Sequence, residues 1–379
     1  SHRIPELEQA SRTSYKRCQR YLRYLFHWGN MAPQEKVVVR LLVSDRMIHN
    51  LSEALIDISS AMHNNKDLYI HLNTEGPSLD MLTYRMRDNL LALLEDLCAK
   101  MTYDPNRIQI ETGNFIEDAQ TSFQIFCKNT VKGWFYGDHL SKIAVKKEKQ
   151  FKHHFGNFVS NSTYPRLLLA SYLYTHHRDK TLQTYRRDPR DPGQAVDLDL
   201  DKLMFECADP SVLTNVASFV KHLPLELEQG LSEHPMTNIS AGEDGAAINS
   251  TIISWYDSFF CDVITETFFS GRTFFPTEKT TRPLLCRNAF VVHGPRNYLK
   301  HLRELGFRTF SQYWSEEYDH YEGYARCKKM YEVIGEIAQK DTDALHSMHN
   351  HMSELLEHNR QRMLSLTDQD IENFVNQKH

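Results

Sequence analysis

Three short stretches carry polar residues at spacings that suit work on a phosphate or a hydroxyl. The first is Ser160-Asn161 followed by Arg166. Serine and asparagine in a turn can donate hydrogen bonds, and an arginine presents a planar fork that grips two phosphate oxygens. The second is Thr277-Glu278-Lys279, with Arg282 just beyond it and Pro283 after that. A lysine there can neutralise a diphosphate leaving group, and the glutamate can accept from ribose or sugar hydroxyls; Arg282 adds a weaker phosphate contact. The third is Glu75 in the turn Asn73-Thr74-Glu75-Gly76-Pro77-Ser78. A carboxylate exposed in such a turn can act as a general base toward a hydroxyl. Each stretch also has a plain structural alternative: a helix cap with a surface arginine, a capped helix with a solvated charge pair, and a polar turn.

The surrounding pattern places all three where a strand ends and a helix begins. Residues 36–43, 67–72 and 107–111 are short β-branched or apolar runs that read as strands. Between them, 50–62 has helical apolar spacing. Ser78 is expected to cap a long helix whose stripe is Leu79, Leu82, Met86, Leu90, Leu93 and Leu97. A second set follows: a strand at 155–159, a helix from Pro165, a strand at 261–265, a helix from Thr277 to Cys286, and a strand at 289–293 ending in Gly294-Pro295. Residues 298–305 read as a helix closed by Gly306. Residues 186–201 and 224–249 read as loops, and 321–362 as helical with a break near Asp341. The alternation implies an α/β fold with parallel sheets and crossover helices. Ligands bind such sheets at the carboxyl ends of the strands, where helix N-termini offer free N–H groups to phosphate. The expected division is an N-terminal extension (1–34), an acceptor-side domain (35–150), a donor-binding domain (151–320) and C-terminal helices (321–379).

These motifs, taken in order, resemble the fucosyltransferase-like glycosyltransferases. Residues 155–166 are similar to that family's strand, Ser-Asn and Arg. Residues 263–295 resemble its donor-binding signature: a strand, aromatics (Phe274-Phe275), Thr-Glu-Lys opening a helix, and a strand ending in Gly-Pro. Residues 73–78 are similar to its Glu-Ser-Pro turn, with Gly76 in place of the serine. The resemblance implies a GT-B fold of two Rossmann-like lobes and an inverting, metal-independent transfer from a nucleoside-diphosphate sugar, GDP-fucose-like or related. It also implies roles. Arg166 and Lys279 would hold the diphosphate, Glu278 the ribose or donor sugar, and Glu75 would be the base. Ser160, Asn161, Thr277, Arg282 and Gly294 complete the expected donor site. A glycan hydroxyl is the expected acceptor. A hydroxymethylated DNA base and a non-catalytic GT-B-like binding scaffold are the alternatives.

The rest of the sequence narrows the field. With 379 residues, 41% of them apolar and 25% charged, the chain can fill large cores. A formal net charge of -5 provides no global field for nucleic acid, although the lysines at 142, 146, 147, 149 and 152 form a local basic stretch, read as a linker or solvated helix. Seven scattered cysteines with no CxxC, no apolar run of spanning length and no apolar core in the opening SHRIPELEQASR point to a cytoplasmic chain without a membrane span. No GxGxxG, Walker loop or GxSxG occurs. His346, His349 and His351 cluster on one expected helix without an acidic partner, so no metal or other cofactor is expected. Asp197, Asp199 and Asp201 have DxD spacing but sit in a loop.

Overall fold

A computed structural model describes residues 38–42, 69–74, 76, 79, 83–84, 88–127, 130–133, 145–159, 162–185, 200–225 and 255–378. The chain divides into two compact units, 1–128 with 375–379 and 129–374. The architecture is mixed α/β with parallel sheets.

In the first unit the described strands are β1 (Val38–Leu42), β2 (Tyr69–Asn73), β3 (Thr83–Tyr84), β4 (Asp88–Asn89), β5 (Ile108–Thr112) and β6 (Gln124–Cys127). Four of them form a parallel sheet in the order β1-β2-β5-β6, as the strand–helix rhythm requires. Residues 124–127 were not expected as a strand; their side chains alternate between exposed and half-buried, an edge pattern with little apolar signal. The long helix from Ser78 is not formed. β3 and β4 pair antiparallel, and helix α1 (Leu90–Met101) starts only after Asp88-Asn89. Thr83 and Tyr84 favour strand, and Asp and Asn favour a helix start, so local preference divides the apolar run. Among the described side chains of α1, Leu91, Leu94 and Cys98 are buried, while Leu97 of the expected stripe is half-buried. The expected helix at 50–62 lies outside the described residues.

The second unit begins with a single helical turn, α2 (Thr130–Gly133), and continues through β7 (His153–Val159), α3 (Tyr164–His177), β8 (Thr181–Tyr185), α4 (Leu200–Glu206) and α5 (Pro210–Val220). Then come β9 (Phe259–Thr265), α6 (Glu278–Cys286), β10 (Ala289–His293) and α7 (Tyr298–Glu304). The sheet is parallel throughout, in the order β10-β9-β7-β8. From β7 the chain goes out to β8, then returns past β7 to β9 and β10. The strand order therefore reverses between β7 and β9, the position at which open parallel sheets leave a crevice at the carboxyl edge. β9 and β10 are buried at every residue, as in a sheet covered on both faces.

Four helices follow: α8 (Gly323–Ala338), α9 (Thr342–His351), α10 (Ser353–Ser365) and α11 (Asp368–Asn376). α8 packs on β10 and α3, and α10 packs on α6. Met330, Val333, Ile334, Ile337, Leu345, Met352 and Leu355 are buried, so the tail covers the sheet. Lys149 corrects the view of 142–152 as a solvated stretch. It is buried, and its Nζ donates to the carbonyls of Tyr256 (3.3 Å) and Cys286 (2.7 Å) and to Asp257 Oδ1 (3.1 Å). Three oxygens at one point offset the cost of burying the ammonium. Among the described residues no helix is long and apolar enough to cross a membrane.

Two features of this core are open to measurement. A Cβ at Gly156 in β7 would lie 2.5 Å from the Phe259 ring on β9. Gly156→Ala should cost about 1–3 kcal/mol by overpacking; an unchanged denaturant midpoint would refute the contact. Asp262, buried in β9, accepts from Tyr256 Oη at 2.7 Å, and burial pushes its carboxyl up to about 7 against the pull of Tyr256 and Arg282. Below pH 4 the group is protonated in folded and unfolded chains alike. Between pH 4 and 7 the folded chain keeps a proton that the unfolded chain releases, so stability falls as pH rises through this window. Relative to Asp262→Asn, the wild type should lose on the order of 4 kcal/mol between pH 4 and pH 8. Chemical denaturation of both proteins across that range measures it, and parallel pH profiles would show Asp262 to be ordinary.

Candidate functional site

The carboxyl end of β9 carries a residue that the sequence reading passed over. Glu266 follows the strand directly and is fully buried. Its backbone N–H donates to His293 O at 2.9 Å, tying it to the end of β10. Its carboxyl oxygens accept from Thr277 N (3.2 Å), Thr277 Oγ1 (2.5 Å), Thr280 Oγ1 (2.6 Å), Tyr298 Oη (2.9 Å) and Thr267 N (3.2 Å). One side chain thus fastens the first turn of α6 and the first residue of α7 to the strand end. Glu266 shares with Glu75 a place just past a strand but lacks the Gly-Pro turn that singles Glu75 out.

Arg166 and Lys279 stand around this residue. Arg166 is in the first turn of α3, reached from the end of β7, and is buried. Its Nη2 donates to Glu266 O at 3.4 Å. That contact spans the reversal between β7 and β9. Thr277 is the N-cap of α6, as expected, with Oγ1 accepting from Lys279 N at 3.3 Å. Lys279 is 21% exposed at its side chain, and its Nζ donates to Glu278 Oε1 (2.8 Å), Thr267 Oγ1 (3.0 Å) and Thr277 Oγ1 (3.3 Å). Burial holds the Lys279 ammonium below the usual lysine range; Glu278 pulls it back up, Arg166 pushes it further down, and Glu266 raises it. Arg166, Lys279, Glu278 and Glu266 therefore share one electrostatic neighbourhood.

Glu278 is buried, not a solvated partner of Lys279. Burial alone would push its carboxyl up, but Lys279 and then Arg282 outweigh this and hold it below the usual range. Arg282 is itself buried in α6, within electrostatic reach of both Glu278 and Asp262. The helix start differs from expectation in one respect. Thr277 N and Lys279 N already have acceptors, Glu266 Oε1 and Thr277 Oγ1, so those two donors are not free for an anion. The cations that remain for one are side chains.

The turn after β10 closes the far side. A Cβ on Gly294 would lie 2.8 Å from the Tyr298 ring, so packing accounts for the glycine there. The neighbouring His293 is fully buried. Burial and Arg326 hold its imidazole down to about 3, and its Nε2 lies 3.1 Å from Gly323 O. Arg326, also fully buried, donates to the carbonyls of Val292, Pro295, Asp319 and Tyr321 and to Asp319 Oδ1, at 3.0–3.3 Å. The Gly-Pro turn is thereby fixed to α8.

The structure brings Arg166, Thr277, Glu278 and Lys279 together around Glu266; Arg282 is buried further along α6, and Gly294 packs against Tyr298. Glu75, Ser160 and Asn161 lie outside the described residues, as do Asp197 and Asp199. His346 and His349 are engaged structurally: His346 Nε2 accepts from Phe151 N at 3.4 Å, and His349 Nε2 is 3.1 Å from Arg287 O. Among the described residues no group of three or more His, Cys, Asp or Glu side chains is placed to hold a metal ion. Comparison of this chain with protein-family models, with curated proteins and with solved structures finds no match.

Proposed function

We propose that this chain is a nucleotide-sugar-dependent glycosyltransferase of GT-B type, with its donor site at the carboxyl edge of the second sheet. The observation that supports this most is the meeting of Arg166 and Lys279 at the strand-order reversal, one from each side of Glu266. Two cations in a partly dry setting suit a diphosphate, and their attraction grows as the leaving group gains charge. Glu278, held ionised by Lys279 and Arg282, suits a ribose or sugar hydroxyl as donor. In the proposed reaction an acceptor hydroxyl loses its proton to Glu75 and attacks the anomeric carbon in line. The bond to the diphosphate breaks, and configuration inverts.

A glycan remains the preferred acceptor. The basic stretch behind the DNA alternative loses Lys149 to the interior; Lys146, Lys147 and Lys152 are exposed, and Lys142 lies outside the described residues. Thermal shift against GDP, UDP, dTDP, ADP and CMP tests the reading. One nucleotide should raise the melting temperature of the wild type, and that shift should vanish in Lys279→Ala. With the matching sugar donor, Arg166→Ala and Lys279→Ala should each lose roughly 2–4 kcal/mol of transition-state stabilisation. Wild-type kcat/KM in Arg166→Ala would sink the assignment, and no stabilisation by any nucleotide would favour a binding scaffold.

A further inference from the structure

We infer that Glu266 is the positioning residue of this site, the group whose carboxyl orients Lys279 before any ligand arrives, with Arg166 held on its backbone oxygen. The glycosyl-transfer reading enters only in naming the anion these cations receive; the positioning belongs to the unliganded chain.

The case rests on hydrogen-bond capacity. A carboxylate offers about four lone-pair positions, and Glu266 receives five donors. It has nothing left for a substrate proton, so it is not a catalytic base. What it does control is the polarity of Thr277. A threonine hydroxyl has one proton and two lone pairs. Its proton goes to Glu266 Oε2, which commits the lone pairs to Lys279 N and Lys279 Nζ. The second hydroxyl on Lys279 Nζ belongs to Thr267, whose backbone N–H is also on Glu266 Oε2. One hydroxyl partner of the ammonium is therefore oriented directly by the carboxyl and the other belongs to a residue whose backbone the same carboxyl holds, while the backbone oxygen of Glu266 takes Arg166. An apolar residue of similar size would fill the space but would not impose these directions. A glutamine would present an amide donor at one end and invert the hydroxyl of Thr277 toward the lysine.

The test reads Lys279 directly and needs no ligand. Competitive acylation with acetic anhydride across pH, followed by peptide mass spectrometry, gives the titration and reactivity of this one amine. In Glu266→Gln the midpoint of Lys279 labelling should move down and labelling at pH 7 should rise on the order of tenfold, one pH unit. In Thr280→Val, which removes one donor from Glu266 but leaves Thr277 and Thr267 in place, labelling should stay as in the wild type. Wild-type labelling in Glu266→Gln, with only the melting temperature lowered, would reduce Glu266 to a structural tie and overturn the inference. If Glu266→Gln does not fold, Thr277→Val cuts the same relay and must give the same shift; wild-type labelling there also overturns it. Calorimetry with pyrophosphate on the same proteins separates the two claims. Pyrophosphate binding by the wild type that weakens about tenfold in Glu266→Gln supports both. A labelling shift in a protein that binds no pyrophosphate supports the positioning and rejects the donor-site reading.

Discussion

Between β7 and β9 the chain reverses its direction of travel across the second sheet, and the carboxyl edge is organised around that gap. Adjacent strands of a parallel sheet normally send their following segments to the same side. Here the segment after β7 leads into α3 toward β8, and the segment after β9 leads into α6 toward β10. Two helix starts are left facing a common point, and what fills the point is a carboxyl group. Polar groups buried in such a place are tolerable only when nearly all their bonds are made. Glu266 meets that condition with donors from the loop beside it, from α6 and from α7. The result is a rigid edge that carries net positive side chains without an unpaired charge at its base.

A similar device recurs in the first unit. Glu117 lies in the loop after β5 and is buried. Its carboxyl oxygens accept from Leu79 N (2.9 Å), in the segment after β2, from Asn114 Nδ2 (3.2 Å) and from Ala119 N (3.1 Å). Both sheets thus use a glutamate just beyond a strand to staple neighbouring loops at the carboxyl edge. In neither case does the residue type advertise the role. A buried staple and a solvated turn glutamate have the same sequence neighbourhood, and only the number of converging donors separates them.

This explains which parts of the molecule were legible in advance. The strands at 38–42, 69–73, 153–159, 259–265 and 289–293 are short, apolar and β-rich, so period and composition sufficed. The cap at Thr277 and the positions of Arg166 and Lys279 followed from the same junction rule. β6 and β8 were missed because Gln and Thr interrupt any apolar run, in β6 at a partly exposed edge and in β8 at positions that are nonetheless buried. The helix expected from Ser78 failed because six leucine and methionine positions at helical spacing outweighed two local stops, Thr83-Tyr84 and Asp88-Asn89. Glu266 and the buried Lys149 were missed for a shared reason. Their partners lie up to 137 residues away in sequence, at Cys286 for Lys149, and no local pattern encodes such contacts.

The Gly-Pro turn after β10 is linked to the carboxyl of Glu266 through a single ring. Tyr298 sits against the bare Cα of Gly294 and reaches on to Glu266. A side chain at 294 collides with the ring, and a smaller residue at 298 that relieved the collision would withdraw the Tyr298 donor from Glu266. The glycine and the tyrosine are therefore a coupled pair: a change at 294 is felt at the carboxyl through the ring. A glycine that looks like a free choice of turn residue is tied to the chemistry at the end of the neighbouring strand.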